Sequence, residues 1–423
     1  MVFQPVDRPE ARGDAVDYYN YAYNLLNHGV FSASRTATGQ PPSDSFRDPG
    51  YPVFLAIWMK IFPQWESWYA AVLVSQAILG GFTVMLWLYI GRSFLPTSWL
   101  AAAGVLMALW PHSVTITSDL LAETLYGFLV SLSLATFKVT GHKRSVIWAF
   151  ARGICLSMAA LTNAVLSPLI GILILYGVFC LRIPPRLIFT MAITFSAIVI
   201  PWQIRNAMLK SGQPTSMDRA TANLVQGSWP NYHAAYKASF SGSDPNAKLA
   251  MTQINNEINL FHTNRESGLS AMWKRFANAP WHYIGWYLQK PSLLWGWSIR
   301  MGSGDIYVYA TKNSPFNSAI SWRSLAAICF ALNPIIMLLA LAGCIISLRN
   351  RHQLRDASAT ALLLLLITLI HSVLQAEPRY SIPYRGAEIL MGITALYCLA
   401  ALGMKHIKRP TESKQLDRTS SLG

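Results

Sequence analysis

The sequence predicts an all-α polytopic membrane protein carrying an external helical domain. Three observations lead there. Hydrophobic residues make up 53% of the chain and charged residues only 13%, about half the charged share of a soluble domain. About nine long, nearly uncharged apolar runs punctuate the sequence, far more than a soluble core calls for. The basic residues between those runs fall on alternate sides of them, as they do in a membrane-threaded chain.

A hydrocarbon core about 30 Å thick needs roughly 20 apolar residues per helix. Tyr69–Ile90 meets this with no charge at all, and the other candidate spans are 95–112, 117–137, 145–162, 165–181, 187–203, 324–348, 357–375 and 387–404. Each is apolar all round rather than striped, which suits lipid-facing or bundle-core helices. Asn163 and Pro168 interrupt 153–181, giving two helices with a tight turn or one bent helix.

Charge placement sets the orientation. Arg92, then Lys138, Lys143 and Arg144, then Arg182 and Arg186, then Arg349, Arg351 and Arg355, and finally Lys405, Lys408 and Arg409 share one side. The positive-inside rule makes that side cytoplasmic. The acidic N-terminal segment, the stretch 204–322 and the turn holding Glu377, Pro378, Arg379 and Tyr380 then lie outside. The net charge of +15 reads as topology and contact with anionic lipid; no basic cluster pairs with a nucleic-acid-binding motif, so no nucleic-acid partner is expected.

The chain divides into an external segment, 1–68, with short surface helices; six spans over 69–203; a polar, mainly external helical domain over 204–322; three spans over 323–404; and a disordered cytoplasmic tail, 405–423. Residues 1–68 have no signal peptide and no spanning helix to carry them across. The expectation is a further spanning helix upstream; translocation of this tail by the first helix is the alternative. Within 204–322, Ser243-Asp244-Pro245 marks a helix start, followed by Ala250, Met251, Ile254, Ile258 and Phe261 at helical spacing. A helical stretch at 279–290 is rich in tryptophan and tyrosine, rings that favour the headgroup region and that also stack on sugars. Cys155, Cys180, Cys329, Cys344 and Cys398 lie in predicted helices without paired or zinc-binding spacing. There is no phosphate-binding glycine loop and no Asp-x-Asp pair, so nothing supports nucleotide handling.

Candidate chemistry clusters at the external ends of the runs. Asp14, Tyr18, Ala22, Leu25 and Leu26 step at helical spacing to Gly29, as in a short amphipathic helix on the membrane. Asp14 stands at its N-terminal end, either as a functional carboxylate or as an N-cap. Asp17 follows one turn on. Arg47 precedes the rigid turn Asp48-Pro49-Gly50-Tyr51-Pro52, and Asp119 and Glu123 are four apart, which puts them on one face of a helix. Carboxylates at a helix end in the bilayer imply a partner or a site. Arg205 and Asn206 close another apolar run, and Arg379 sits between Pro378 and Pro383 at a helix mouth.

At these residues the chain resembles the GT-C membrane glycosyltransferases, in particular the dolichyl-phosphate-mannose protein mannosyltransferase-like branch that includes the aminoarabinose transferases. The matching elements are G-D-x-x-x-Y-x-x-x-A-x-x-L-L-x-x-G at 13–29, R-x-P-G-Y-P-x-F-L-A at 47–56, L-x-E-T-L at 121–125, P-W-x-I-R-N at 201–206 and R-Y-x-x-P at 379–383. Together they span nearly the whole chain. The resemblance implies transfer of a sugar from a polyprenyl-phosphate donor to a glycan, lipid or protein acceptor at the periplasmic face of a bacterial inner membrane. Carried across motif by motif, Asp14 matches the acidic residue that activates the acceptor, Arg47 and Arg379 match cations at the donor phosphate, and Glu123 matches the acid of an early helix. Asp17, Tyr51, Arg205 and Tyr380 are further candidate site residues. The chain departs from the pattern at Ala15, often acidic in relatives, at Asp48, often proline, and at Asn163, often basic. No cofactor is expected; Asp14, Asp17 and His28 are the side chains that could nominally hold a divalent cation. A lipid-linked-glycan transporter or flippase is the first alternative, although the charged positions gather on one face and no half repeats the other. A non-catalytic glycolipid-binding protein is the second.

Overall fold

The computed structural model describes residues 13–34, 39–210, 212–241, 244–297 and 315–401, apart from the side chains of 139–143, 240, 241 and 317. The predicted tail 405–423, with Lys405, Lys408 and Arg409, lies outside the described residues, as do Ser243 and the Lys143 side chain. Every described regular element is a helix.

The chain opens with α1 (Asp14–His28), the amphipathic helix its spacing predicts, closed by Gly29 at φ +65°, a left-handed turn that glycine takes without strain. Its inner face packs on α2 (Gly50–Ile61), with the Tyr18 and Tyr51 rings edge to face at 4.9 Å. Gly50 is where α2 meets α7 (Val146–Thr162): a Cβ there would overlap the Thr162 side chain and lie 2.8 Å from its Cα. Only glycine permits this approach.

Among the described residues, four helices are long and apolar enough to cross a membrane: α3 (Trp65–Gly91), α9 (Pro185–Ala207), α16 (Ile320–Arg349) and α17 (Arg355–Val373). A fifth span forms if α4 (Thr97–Leu109) is joined to the segment Pro111–Ser118, which holds α5 (Pro111–Thr115) and is bent 52° from it. The other predicted runs are helical but shorter or less apolar. Asn163 caps a 3-10 turn, Ala164–Leu166, between α7 and α8 (Ser167–Phe179), its side chain accepting from Val165 N at 3.1 Å; the two-helix expectation holds. The predicted run 117–137 behaves differently. Its helix, α6 (Glu123–Lys143), starts six residues later, after an irregular stretch. It is buried along most of its described length between α3 and α7, so it packs on protein and needs no continuous apolar surface. Ser133 and Thr136 there bond back to Leu129 and Ser133 carbonyls at 2.7 and 2.8 Å, the usual way of satisfying hydroxyls inside a helix.

The irregular stretch is held by Gln76 of α3, which is fully buried. Its amide nitrogen donates to the carbonyls of Thr117 and Asp119, each at 2.9 Å, and its oxygen accepts from Tyr51 Oη at 2.8 Å. Asp119 consequently has extended backbone, at φ −105°, and does not share a helix face with Glu123. That corrects the four-residue spacing argument: the ladder expected to align the two acids is interrupted by a side chain that takes its carbonyls.

After α9 come α10 (Ser216–Gly227), α11 (Tyr232–Ser241), α12 (Pro245–Thr263), α13 (Arg265–Asn278) and α14 (Pro280–Leu294). The first four share a small core of Val225, Tyr232, Ile254 and Met272. Asp244 caps α12 as the sequence indicates, accepting from Asn246 N and Ala247 N. The aromatic helix α14 divides its rings: Trp281 is exposed, whereas Trp286 donates to the Gly227 carbonyl at 2.9 Å. Lys290, fully buried, donates to the carbonyls of Gly227, Val373 and Leu374, tying this domain to the end of α17. The chain closes through α15 (Pro315–Ser318), α16, α17, the short α18 (Pro378–Ser381), a 3-10 turn (Ile382–Tyr384) and α19 (385–401). Opposite the α1 end of the bundle, Lys138 donates to the Tyr89 carbonyl at 2.6 Å and lies 3.9 Å from Asp356.

Gln76→Leu is expected to leave the Tyr51 hydroxyl and the Thr117 carbonyl without their side-chain partner in a buried site, while the Asp119 carbonyl keeps the Leu121 N–H at 2.8 Å. Each stranded group costs about 1–3 kcal/mol, so thermal unfolding in detergent should show a loss of several kcal/mol. A variant as stable as the wild type would mean that water replaces the amide.

Candidate active site

At the α1 end of the bundle, four segments distant in sequence bring five charged side chains together. Asp14 stands at the first position of α1. Arg47 leaves the extended strip before α2, Glu123 opens α6, and Arg379 lies in α18. Arg47 Nη2 donates to Asp14 Oδ1 at 2.6 Å and to Asp17 Oδ2 at 2.7 Å, and its Nε meets Asp17 Oδ2 at 3.1 Å. Arg379 Nη2 donates to Asp14 Oδ2 at 2.6 Å, and its Nε donates to Glu123 Oε1. Asp14 thus bridges the two guanidiniums, one oxygen to each.

Each residue has a local reason for its place. Asp48, Pro49 and Gly50 turn the chain tightly after Arg47, and Asp48 Oδ2 accepts from Arg219 Nη2 at 2.7 Å and from Ala164 N at 3.3 Å. The aspartate that departs from the family's usual proline is therefore a tie from this turn to α10 and to the 3-10 turn behind α7. Pro378 starts α18 and Pro383 lies in the 3-10 turn that follows it, holding Arg379 on one fixed turn. The loop 31–34 is pinned to α1 by Asn20, which donates to the Ala33 carbonyl at 3.1 Å, and by Asn24, which donates to the Ser32 and Ser34 carbonyls at 2.8 Å each. Asp44, buried and unremarked in the sequence, accepts from Tyr21 Oη, Ala33 N and Phe46 N. Its only sequence signal is an acid in a loop beside many hydroxyl and amide residues.

The electrostatics follow from this packing. Burial by itself raises the Asp14 carboxyl, but the guanidiniums of Arg379 and Arg47 outweigh it and hold Asp14 well below the usual carboxylate range. Burial likewise opposes charge on Arg47, while Asp14, Tyr18 and Asp17 push it up. For Arg379, Glu123 and Asp14 overcome burial in the same way. Opposite charges at hydrogen-bond distance dominate desolvation here. Asp14 is not an N-cap: Gly13 holds that position, with no side-chain cap, and the Asp14 carboxylate turns to the arginines instead. Glu123 differs from Asp14 in one respect, for its second oxygen, Oε2, is buried without a hydrogen-bond partner.

Of the other sequence candidates, Asp17 joins the cluster through Arg47. Tyr51 lies directly beneath it, with its hydroxyl committed to Gln76. Tyr380 follows Arg379 but turns away, donating to Gln375 Oε1 at 3.1 Å and stacking on His371. Arg205 stands apart from the cluster. It donates to the Asp44 carbonyl at 2.5 Å and to the Phe31 carbonyl at 3.3 Å, with its guanidinium over Trp202; it buttresses the loop that carries Arg47. His28 closes α1 at the end opposite Asp14, roughly 20 Å along the helix, so these two cannot share a cation. Among the described residues, no group of three or more His, Cys, Asp or Glu side chains is placed to hold a metal.

Neither a protein-family model nor a curated protein matches the sequence. Among solved structures, the chain is similar to the Archaeoglobus fulgidus oligosaccharyltransferase tethered through a disulfide bond to an acceptor peptide. The TM-score is 0.50 at 12% identity, over 94% of this chain and 46% of that one. The chain has a GT-C-like membrane fold. The archaeal oligosaccharyltransferase AglB in complex with an inhibitory peptide and a dolichol-phosphate gives a TM-score of 0.49 at 14% identity, over 98% and 49%. ArnT from Cupriavidus metallidurans bound to undecaprenyl phosphate gives 0.39 at 14%, over 92% and 74%. The chain spans about half the length of the oligosaccharyltransferases it matches. At these identities the likeness is one of fold, and the roles of individual residues rest on the geometry above.

Because Asp14 is held low, its ion pairs contribute stability that is complete above the unfolded carboxyl value of about 3.9 and is lost as pH falls below it. Unfolding temperature in detergent should therefore change little from pH 7 to 5 on this account and drop below pH 4. Asp14→Asn should cost about 3 kcal/mol at pH 7, because it leaves two buried guanidiniums without their shared carboxylate, and should flatten the acid limb. Parallel acid losses in wild type and variant would remove Asp14 as the source.

Proposed function

We propose that the protein is a membrane glycosyltransferase that moves a sugar from a polyprenyl-phosphate donor to an acceptor at the external, periplasmic face of a bacterial inner membrane. The observation that supports this most is the pair Arg47 and Arg379, brought from separate segments to one point at the end of a membrane-spanning bundle. Two fixed guanidiniums at that height suit a phosphate whose lipid chain lies in the bilayer. Each meets its carboxylates through Nε and Nη2, a planar fork that also matches phosphate oxygens. The GT-C-like fold supports the same reading, since the similar solved structure is an oligosaccharyltransferase. So does the sequence, which carries no nucleotide-binding signature.

In the reaction the acceptor oxygen bonds to the anomeric carbon as the bond from that carbon to the phosphate oxygen breaks. The electron pair leaves with the polyprenyl phosphate, and Arg47 and Arg379 neutralise the charge that grows there. Asp14 takes the acceptor's proton. In the resting site that carboxylate is clamped and a weak base. A phosphate that draws the guanidiniums toward itself loosens the clamp and restores its basicity, so donor binding prepares the base. Nine spans with the arginine-rich loops in the cytoplasm complete the proposed topology, with α1, Arg47 and Arg379 outside.

Purified protein should transfer from a polyprenyl-phosphate sugar and not from a nucleotide sugar. Robust transfer from a nucleotide sugar with no lipid carrier present would defeat the reading, and donor binding without transfer under any acceptor would favour a flippase or a binding protein.

Arg47→Ala and Arg379→Ala should each weaken polyprenyl-phosphate binding about 10- to 100-fold, the loss of a charge-assisted contact of about 1.5–3 kcal/mol. Lysine should restore only part, lacking the planar fork. Asp14→Asn should lower turnover by about 10² to 10⁴ while donor binding persists, with a milder effect from Asp17→Asn. Unchanged donor binding in both alanine variants would take these arginines out of the site.

A further inference from the structure

A cavity of about 410 Å³ descends from the charged cluster into the bundle, between α3, the bent segment α4–α5, α6 and the turn before α19. This volume falls in the range of small-molecule sites. Its walls include the spanning helix α3 and the enclosed helix α6, with Gly80, Gly81 and Gly127 among the lining residues and Trp87 at the inner end. Trp87 stands eleven residues beyond Gln76 on α3, roughly 16 Å deeper along the helix. A space of this volume lined mainly by apolar side chains suits a hydrocarbon chain better than a sugar or a peptide. The hydroxyls along it are largely spoken for: Thr83 bonds to the Leu79 carbonyl at 2.8 Å, Thr117 to Val114 at 2.8 Å and Thr124 to Ile116 at 3.4 Å.

The outer end is different. Glu123 lines the cavity, is nine-tenths buried, and has its Oε2 without a partner. A buried carboxylate oxygen in this position calls for a hydrogen-bond donor. It repels a phosphate, so the donor's charged group belongs on the two arginines and not here.

We infer that this cavity is the acceptor site, and that the acceptor is a membrane lipid whose chain fills the cavity while its hydroxyl donates to Glu123 Oε2 in the resting complex, from which it turns to Asp14 to react. The inference rests on the glycosyltransferase reading for the word acceptor, but the binding site itself can be tested without transfer. It places the acceptor hydroxyl one guanidinium away from the donor phosphate, since Arg379 holds Glu123 and Asp14 together.

The probe is a diacylglycerol with a photoreactive acyl chain and one free hydroxyl, presented to the full-length protein in phosphatidylcholine nanodiscs. Its acetylated analogue, which lacks the hydroxyl, serves as control, and polyprenyl-phosphate binding is measured in parallel. Labelling is expected on α3 and α6 around Ala77–Trp87 and Glu123–Gly127, at least tenfold weaker for the acetylated lipid. Gly81→Trp should abolish it, because a side chain there meets no atom within 4 Å at its Cβ and projects into open space. Ala108→Trp, from the opposite wall, is the second blocking variant should the first fail to fold. Polyprenyl-phosphate binding should stay within twofold in both. If the blocking variants lose polyprenyl phosphate instead, the cavity holds the donor chain and the inference is overturned. Equal labelling by the acetylated lipid also overturns it, by making the cavity a simple lipid-facing furrow. A wild type that takes the diacylglycerol but no polyprenyl phosphate would sink the donor reading and leave the lipid site standing.

Discussion

The Asp14 carboxylate, shared between Arg47 and Arg379, is the contact on which the organisation of this end of the molecule depends. It joins α1 to the strip before α2 and to α18, and through Arg379 it reaches α6. Two cations at this separation, buried together, would repel; the carboxylate between them turns a cost into a fixed geometry. Everything placed around the cluster serves to keep it in register. Asn20 and Asn24 hold the loop over α1, Arg205 braces the Asp44 turn, and Asp48 anchors the corner behind Arg47.

This arrangement also explains why the cluster is tightly paired rather than open. An unpaired buried guanidinium costs more than a paired one by several kcal/mol, so a phosphate site that is empty part of the time needs a resident anion. Asp14 and Glu123 are such anions, at the right height and on the nitrogens a phosphate would use. The arrangement constrains the chemistry, because a carboxylate held by two cations is a poor base until one of them is drawn off. On the proposed function, structure and reactivity are set by one competition, between carboxylate and phosphate oxygens for the same N–H groups.

Much of the fold was legible in the sequence, because it depends on short-range patterns. The amphipathic step from Asp14 to Gly29, the Asn163 break and the Asp244-Pro245 start each need only a few neighbouring residues to specify them. The site residues were legible as types in motifs, and the structure brings Asp14, Asp17, Arg47, Glu123 and Arg379 together. What was not legible is long-range. Arg379 meets Glu123 across 256 positions, and no local pattern encodes which carboxylate an arginine will choose. Gln76 reads as one polar residue in an apolar run, yet it unwinds the start of the next span by taking its carbonyls. α6 failed the span pattern for the opposite reason, since a helix enclosed by others is free of the composition that lipid demands. Arg205, in a matching motif, braces a loop: a motif fixes a residue's neighbourhood, and its partner comes from the packing.

Arg385 provides the comparison that separates a structural arginine from a functional one. It lies one turn below the site, fully buried, and its guanidinium donates to Glu388 Oε2 at 2.7 Å, to Asn333 Oδ1 at 3.1 Å, and to the carbonyls of Trp295 and Gly296 at 3.1 and 2.8 Å. Two of those acceptors are backbone atoms, which cannot swing away, and Asn333 is itself fixed by its bond to the Trp295 carbonyl at 3.0 Å. Such an arginine joins the end of α14, α16 and α19. The Arg379 bonds described above go to carboxylates on side chains, which rotate, at the mouth of the bundle, where the proposed function puts the donor's charged group. Burial and pairing alone do not distinguish the two. The distinction lies in whether the partners are fixed by the backbone or can be exchanged for another anion, and by that criterion the cations at the α1 end are the ones built to release what they hold.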